Sequence, residues 1–272
     1  MACGRLFLTG ILLLTGCVGM PAQSQPDHLR VSLISERSGV VPRQKTQLGL
    51  RFQLDAGWHI YWINSGDSGE PPKVKWHVPP GFTMGELQFP RPERLDTPPL
   101  TDYGYRDEVL LPVSASVPNT LQTGAAEFDA EVRWLVCREI CIPGRRQLRL
   151  KLPVVKQASA SAEAPLFVET RKHLPASLPK GWHVSAHSRG EFLILTLTSG
   201  ARISHAAFFP LEAQQIENSF APALEPFAQG IRLKLKKSDQ LLKPLHDLRG
   251  LLVIGEHGYS VAVPVGSRDH AS

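Results

Sequence analysis

"AEFDAEVRWLVCREICIPGRRQLRLKL", residues 126–152, decides the fold. Its first half puts Val132, Trp134 and Val136 on one face and Arg133, Leu135 and Cys137 on the other, the period of two that marks a half-buried strand. "RQLRLKL" alternates in the same way, and "CREIC" between the two halves has room only for a turn. The stretch therefore predicts a β-hairpin with Arg138–Ile140 as its loop and Cys137 facing Cys141 across the mouth. Opposed residues of an antiparallel pair lie about 4.5–5.5 Å apart at Cα, inside the roughly 4.4–6.8 Å that a disulfide spans.

The same period extends outward. "LRVSLIS", "TQLGLRFQL", "WHIYWI", "EVLLPVSASV" and "RQLRLKLPVV" are short alternating runs punctuated by Pro, Gly, Asn and Asp, and no ten-residue amphipathic helix interrupts them. Strands at this spacing without helical crossovers predict an antiparallel β-sandwich over residues 27–155. Residues 156–177 read as a linker: "KQASASAEAP" is small and polar, and "PLFVETRKHLP" predicts a short helix between Pro165 and Pro175. A second series comes after it, "WHVSAHS", "EFLILTLTS", "RISHAAFFP", "GIRLKLKKS", "LRGLLVIG" and "YSVAVPV", and predicts a second sandwich over 178–267. The chain is thus expected to be all-β, two antiparallel β-sandwich domains in tandem. "GWHI" at 57–60 recurs as "GWHV" at 181–184, but at a different place in its strand series, and is read as coincidence. "GWHIYW" reads as core packing, and "NSGDSGEPP" (64–72) and "DYGY" (102–105) read as loops, the former with Asp67 and Glu70 solvated.

The N-terminus has the layout of an export signal over residues 1–26: Arg5, an apolar run from Leu6 to Leu14, then small and polar residues. Two processing sites stay open, one near Ala22–Ser24 and one before Cys17, where "LTGC" resembles a lipobox and would make Cys17 a lipidation site. No later segment is apolar enough to cross a bilayer, so membrane contact is expected only through such a lipid anchor. The net charge of +5 comes without a long Lys/Arg run, which reads as a mildly basic solvated surface and sets nucleic acid aside as a partner.

Of the four cysteines, Cys3 falls in the signal and Cys17 is removed or acylated. Cys137 and Cys141 are left as each other's intramolecular partner, in a compartment where disulfides persist. The residues alone leave three roles open. A fixed structural bond comes first by general frequency, although a five-residue loop gains only about 2 kcal/mol from closure. A redox dithiol suits two thiols spaced for mutual resolution. A zinc site lacks ligands, since His59 and His77 could join only through the fold, whereas copper(I) is satisfied by two thiolates. No cofactor is expected.

Three segments carry a resemblance. "FQLDAGWHIYWINSGDSGEPPKVKWHVPPGF", "LTDYGYRDEVLLPVSASV" and "WLVCREICIPG" resemble, in the same order, the periplasmic N-terminal domain of the DsbD/ScsB family of thiol:disulfide interchange proteins. The second sandwich, with "AAFFPLEAQQIENS", is similar to the region next to that domain in ScsB-type members. The resemblance implies an immunoglobulin-like sandwich in the periplasm, in processes such as cytochrome c biogenesis and copper tolerance. It implies Cys137 and Cys141 as the catalytic redox pair, Cys141 as the site of the mixed disulfide, and Tyr103 or Tyr105, with Asp102, as a cap that shields them. The implied partners are a membrane-embedded thiol:disulfide reductase, or its thioredoxin-like domain, as donor, and periplasmic thioredoxin-like or disulfide isomerase proteins as acceptors. The best-known members place five residues between their cysteines where this chain has three, and the membrane and thioredoxin-like parts of those proteins have no counterpart in these 272 residues. If the exchange role fails, a non-catalytic envelope binding module, with a structural disulfide or a copper(I) clamp, is the alternative.

Overall fold

The computed structural model describes residues 28–121 and 123–267. The expected export signal and Cys17 lie outside the described residues.

The first sandwich is built from β1 (Leu29–Ser35), β2 (Lys45–Leu54), β3 (His59–Gly66), β4 (Lys73–His77), β5 (Thr83–Met84), β6 (Glu93–Thr97), β7 (Leu100–Arg106), β8 (Glu108–Ser116), β9 (Ala125–Cys137) and β10 (Cys141–Pro153). One sheet runs β1-β2-β8-β5; the other runs β10-β9-β3-β7-β6, with β4 also on β9. Alternating residues of both sheets meet in between: Leu48, Leu50 and Phe52 from β2, Leu111 and Val113 from β8, Phe128, Val132 and Trp134 from β9. Phe52 and Trp134 meet edge to face with ring centroids 6.3 Å apart, which ties the two sheets at the level of the hairpin.

The hairpin of β9 and β10 forms as its alternation predicts, in register from Cys137↔Cys141 to Ala125↔Pro153. Four strands in this half carry no strong sequence signal. β4, β5 and β6 are short, and "DYGY", expected as a loop, lies within β7, between β3 and β6. Its Asp and Gly are poor strand formers in isolation, and pairing on both sides overrides that preference.

Helix α1 (Ala164–His173) carries Pro165 in its first turn and ends at Leu174, whose extended backbone precedes Pro175. The second sandwich comprises β11 (His183–Arg189), β12 (Phe192–Thr198), β13 (Ala207–Pro210), β14 (Ala223–Phe227), β15 (Gly230–Lys236), β16 (Asp247–Ile254) and β17 (His257–Ser267). β17 serves both of its layers, pairing with β16 along most of its length and with β11 at Val265–Ser267. Leu193, Leu195, Leu197, Leu233 and Leu252 fill this core.

The two sandwiches are not beads on a string. Phe209, Leu251 and Val253 of the second are buried in the core of the first, and Phe209 packs edge to face on both Trp62 and Tyr103. Asn64 Nδ2 donates a buried hydrogen bond of 2.8 Å to the Pro210 carbonyl.

Candidate functional site: the hairpin disulfide

Cys137 and Cys141 are joined in a disulfide, with Cα atoms 4.1 Å apart, across the Arg138–Ile140 loop. The strands beside it decide what surrounds the sulfurs. β3 lies between β9 and β7, so that His59 is opposite Cys137 on one side and Arg106 on the other. Alternation then puts His59, Tyr61, Gly104, Arg106 and Cys137 on the outer face, and Ile60 with its partner Tyr105 on the inner face.

Cys137 breaks the burial rhythm of β9. It sits on the outer face, yet it is only 2% exposed, whereas Cys141 is exposed. The Tyr61 hydroxyl lies 3.5 Å from Cys141 Sγ, close enough to donate to the sulfur. The Tyr61 ring is itself covered: a Cβ built on Gly69 would overlap it, and Gly69 holds a left-handed φ of 74° that a side chain would resist. His59 meets the Tyr61 ring edge to face at 5.2 Å. The bond is thus closed in from the sheet side and lies between a buried and an exposed cysteine.

The segment after β3 is pinned by carboxylates. Ser68 donates to both oxygens of Asp102, from its amide and from its hydroxyl, each at 2.8 Å. Asp67 accepts from the Thr101 amide at 2.7 Å and from Asn218 Nδ2 of the second sandwich at 2.8 Å. Asp67 is exposed, as expected of a solvated loop, and is also a structural acceptor. Glu70 is exposed and pairs with Lys73.

Burial pushes the Tyr61 hydroxyl above its ordinary pKa, opposed by hydrogen bonding with Ser68 and reinforced by the charge of Asp102. Burial likewise pushes His59 below its ordinary value, against the pull of Asp102 and with the help of Arg106. His59 Nε2 is buried without a hydrogen-bond partner. At neutral pH the sulfurs therefore face a neutral imidazole and a neutral phenol.

The three residues expected as a cap are divided by the sheet. Tyr103 and Tyr105 lie on the inner face and do not cover the sulfurs: Tyr103 donates to Asn218 Oδ1 at 2.9 Å, Tyr105 donates to the Pro90 carbonyl at 2.7 Å, and burial raises both phenols. Asp102 belongs to the outer face and holds Ser68 next to Tyr61. The tyrosine at the disulfide is Tyr61, which the sequence marks only as packing. Its parity with His59 is visible in the sequence, but its place beside Cys141, 80 residues away, is not.

The open side is basic and apolar. Ile140 at the loop tip is 65% exposed, and Ile63, on the same face of β3 as Tyr61, is 48% exposed. Arg138 packs its guanidinium 5.4 Å over the Trp58 ring and pairs with Glu139, which lowers the pKa of that carboxyl. A groove of about 560 Å3 continues along the hairpin, lined by Leu135, Pro143, Arg133 and Arg145 among others. Both arginines are held by Glu131, whose pKa is lowered by the hydrogen bonds from Arg133 and Arg145. Among the described residues no group of three or more His, Cys, Asp or Glu side chains is arranged to hold a metal ion, and no helix is long and apolar enough to cross a membrane.

These features define a two-sandwich β protein with a half-buried disulfide at a hairpin tip. Residues 30–153, which make up the first sandwich, match the family model of the N-terminal domain of the thiol:disulfide interchange protein DsbD. The fold matches the crystal structure of the N-terminal periplasmic domain of ScsB from Proteus mirabilis, with a TM-score of 0.67 and 17% identity over 91% of this chain and 97% of that one, so the likeness in fold spans both sandwiches. The periplasmic chaperone SfaE aligns over 87% of this chain and 100% of its own at a TM-score of 0.21 and 11% identity, too slight a likeness to bear on the fold. No curated protein matches the chain significantly.

Proposed function

We propose that this protein is a periplasmic thiol:disulfide exchange module in which Cys137 and Cys141 cycle between dithiol and disulfide. Residues 27–155 supply the redox sandwich and 178–267 the second. The observation that carries this reading is the unequal burial of the pair: Cys137 is enclosed and Cys141 is exposed, at the tip of a hairpin.

In the reduced module the Cys141 thiolate attacks one sulfur of an oxidised partner, forming a mixed disulfide and releasing one partner thiolate. Cys137 then attacks Cys141 Sγ, which re-forms the internal bond and releases the second partner thiolate. Two electrons pass to the partner, and two protons end on its thiols. A membrane-embedded reductase, acting through a thioredoxin-like domain, recharges the pair by the reverse steps. The match of the first sandwich to the DsbD N-terminal family model supports this order, as does the hairpin, whose ladder sets Cys137 opposite Cys141. Exposed Ile140 and the groove along the hairpin, whose Arg133 and Arg145 are paired with Glu131, give a partner an apolar contact beside charged side chains.

The test is trapping. Cys137→Ser should accumulate a disulfide-linked adduct with a thioredoxin-like protein, because the resolving thiol is gone, and Cys141→Ser should give none. Adducts through Cys137 in the Cys141→Ser variant would refute the assignment.

A further inference from the structure

We infer that the second sandwich is a clamp on the disulfide's cover: through Asn218 and the Pro210 carbonyl it holds residues 64–69 against Tyr61, and so sets how readily a thiolate reaches the flank of Cys141 that Tyr61 covers.

The connection runs through hydrogen bonds and one packing contact. Tyr61 touches Cys141 Sγ, and Gly69 lies against the Tyr61 ring. Gly69 is next to Ser68, which Asp102 grips twice, and its carbonyl accepts from Ser65 Oγ at 3.0 Å. This segment is fastened to the second sandwich at two points. At its start Asn64 donates to the Pro210 carbonyl, and in its middle Asp67 accepts from Asn218 Nδ2. Asn218 is aimed by the Tyr103 hydroxyl, which donates to its Oδ1.

Asn64, Asn218 and Tyr103 are buried, so the Asn64–Pro210 and Tyr103–Asn218 bonds have little competition from water, whereas the Asn218–Asp67 bond joins a buried amide to an exposed carboxylate. A segment of this length, rich in Gly and Ser and making no strand pairs between Asp67 and Pro72, would otherwise open locally at small cost. Asn218 is in this sense a positioning residue: it acts on the sulfur through Asp67, Gly69 and Tyr61. The arrangement gives the second sandwich, which holds no cysteine, a role in the chemistry of the first. Its use in exchange rests on the function proposed above, whereas the coupling itself can be measured without a partner.

The experiment monitors reduction of the oxidised full chain by dithiothreitol, with amide hydrogen exchange at Ser68 and Gly69 as a second readout. Asn218→Ala removes a hydrogen bond to a charged group and should speed reduction about tenfold, with faster exchange at those two amides and little change in the global unfolding midpoint. Tyr103→Phe keeps the ring on Phe209, removes only the bond that aims Asn218, and should give a smaller increase in both rates. Arg91→Ala breaks a different link between the sandwiches, Arg91 Nη1 to the Gly255 carbonyl, which does not lead to the segment, and should leave both rates unchanged.

Wild-type rates in both the Asn218 and Tyr103 variants, or equal acceleration by Arg91→Ala, would overturn the inference. Failure of the wild type to exchange with a thioredoxin-like protein would instead remove the proposed function and leave these rate ratios standing.

Discussion

Reducing the Cys137–Cys141 bond should barely weaken the fold, and the size of the effect separates an exchange pair from a staple. The bond closes a loop with a sequence separation of four, for which the chain-entropy model gives about 2 kcal/mol. That figure is an upper bound here, because the unfolded chain is only locally constrained and the native hairpin is closed independently by its ladder from Val136↔Ile142 to Ala125↔Pro153. β9 is also paired to β4 at Lys73–His77, and its Phe128, Val132 and Trp134 are buried between the sheets. For a chain of this size about 2 kcal/mol corresponds to about 4–8 °C in the thermal midpoint. The assay is thermal unfolding monitored by circular dichroism, on matched oxidised and fully reduced samples, with Cys137→Ser/Cys141→Ser as a third. A cooperative transition within that interval is expected in all three. Loss of the cooperative transition on reduction, or a fall of more than about 15 °C, would show that the sandwich depends on the bond, and a module that must persist in both redox states could not be built that way.

The same geometry sets three further outcomes. Tyr61→Ala should raise the rate of reduction by a small thiol about tenfold while Tyr61→Phe changes it less than about threefold, since ring coverage rather than the hydroxyl excludes the reagent; equal effects would refute this. Gly69→Ala puts a Cβ into the Tyr61 ring at a left-handed φ, and should cost about 1–3 kcal/mol in urea unfolding and expose Cys141 to faster alkylation once reduced. His59 is held by burial below its ordinary pKa, so the unfolded chain takes up this proton first as the pH falls. Its contribution to stability is full above about pH 6.5, declines as the pH falls from there to the lower folded pKa, and is constant below. Urea midpoints of His59→Gln should accordingly fall less than those of the wild type between pH 8 and pH 5.

The sandwich class was legible because a period of two is a local property. "LRVSLIS", "TQLGLRFQL" and the hairpin announce strands without reference to neighbours, and the close pairing of Cys137 with Cys141 comes from the hairpin alone. Where a segment's state depends on distant pairing, the signal fails. "DYGY" has the composition of a turn and is a strand because β3 and β6 flank it. The expectation that its tyrosines cover the sulfurs fails for the same reason: Tyr105 is opposite Ile60, and that pairing turns both tyrosines inward.

The sequence by itself determined the alternating strands of two β-sandwiches and a hairpin that sets Cys137 opposite Cys141, since each depends on residues close together in the chain, and three ordered segments carried the resemblance of the first sandwich. Only the tertiary structure decided which residues surround the sulfurs. Tyr61 reaches Cys141 Sγ because β3 lies between β9 and β7, and Asn218 reaches the cover because Phe209 docks into the first core. Such contacts join residues separated by 80 to 151 positions, and nothing in the local pattern of either partner encodes the other.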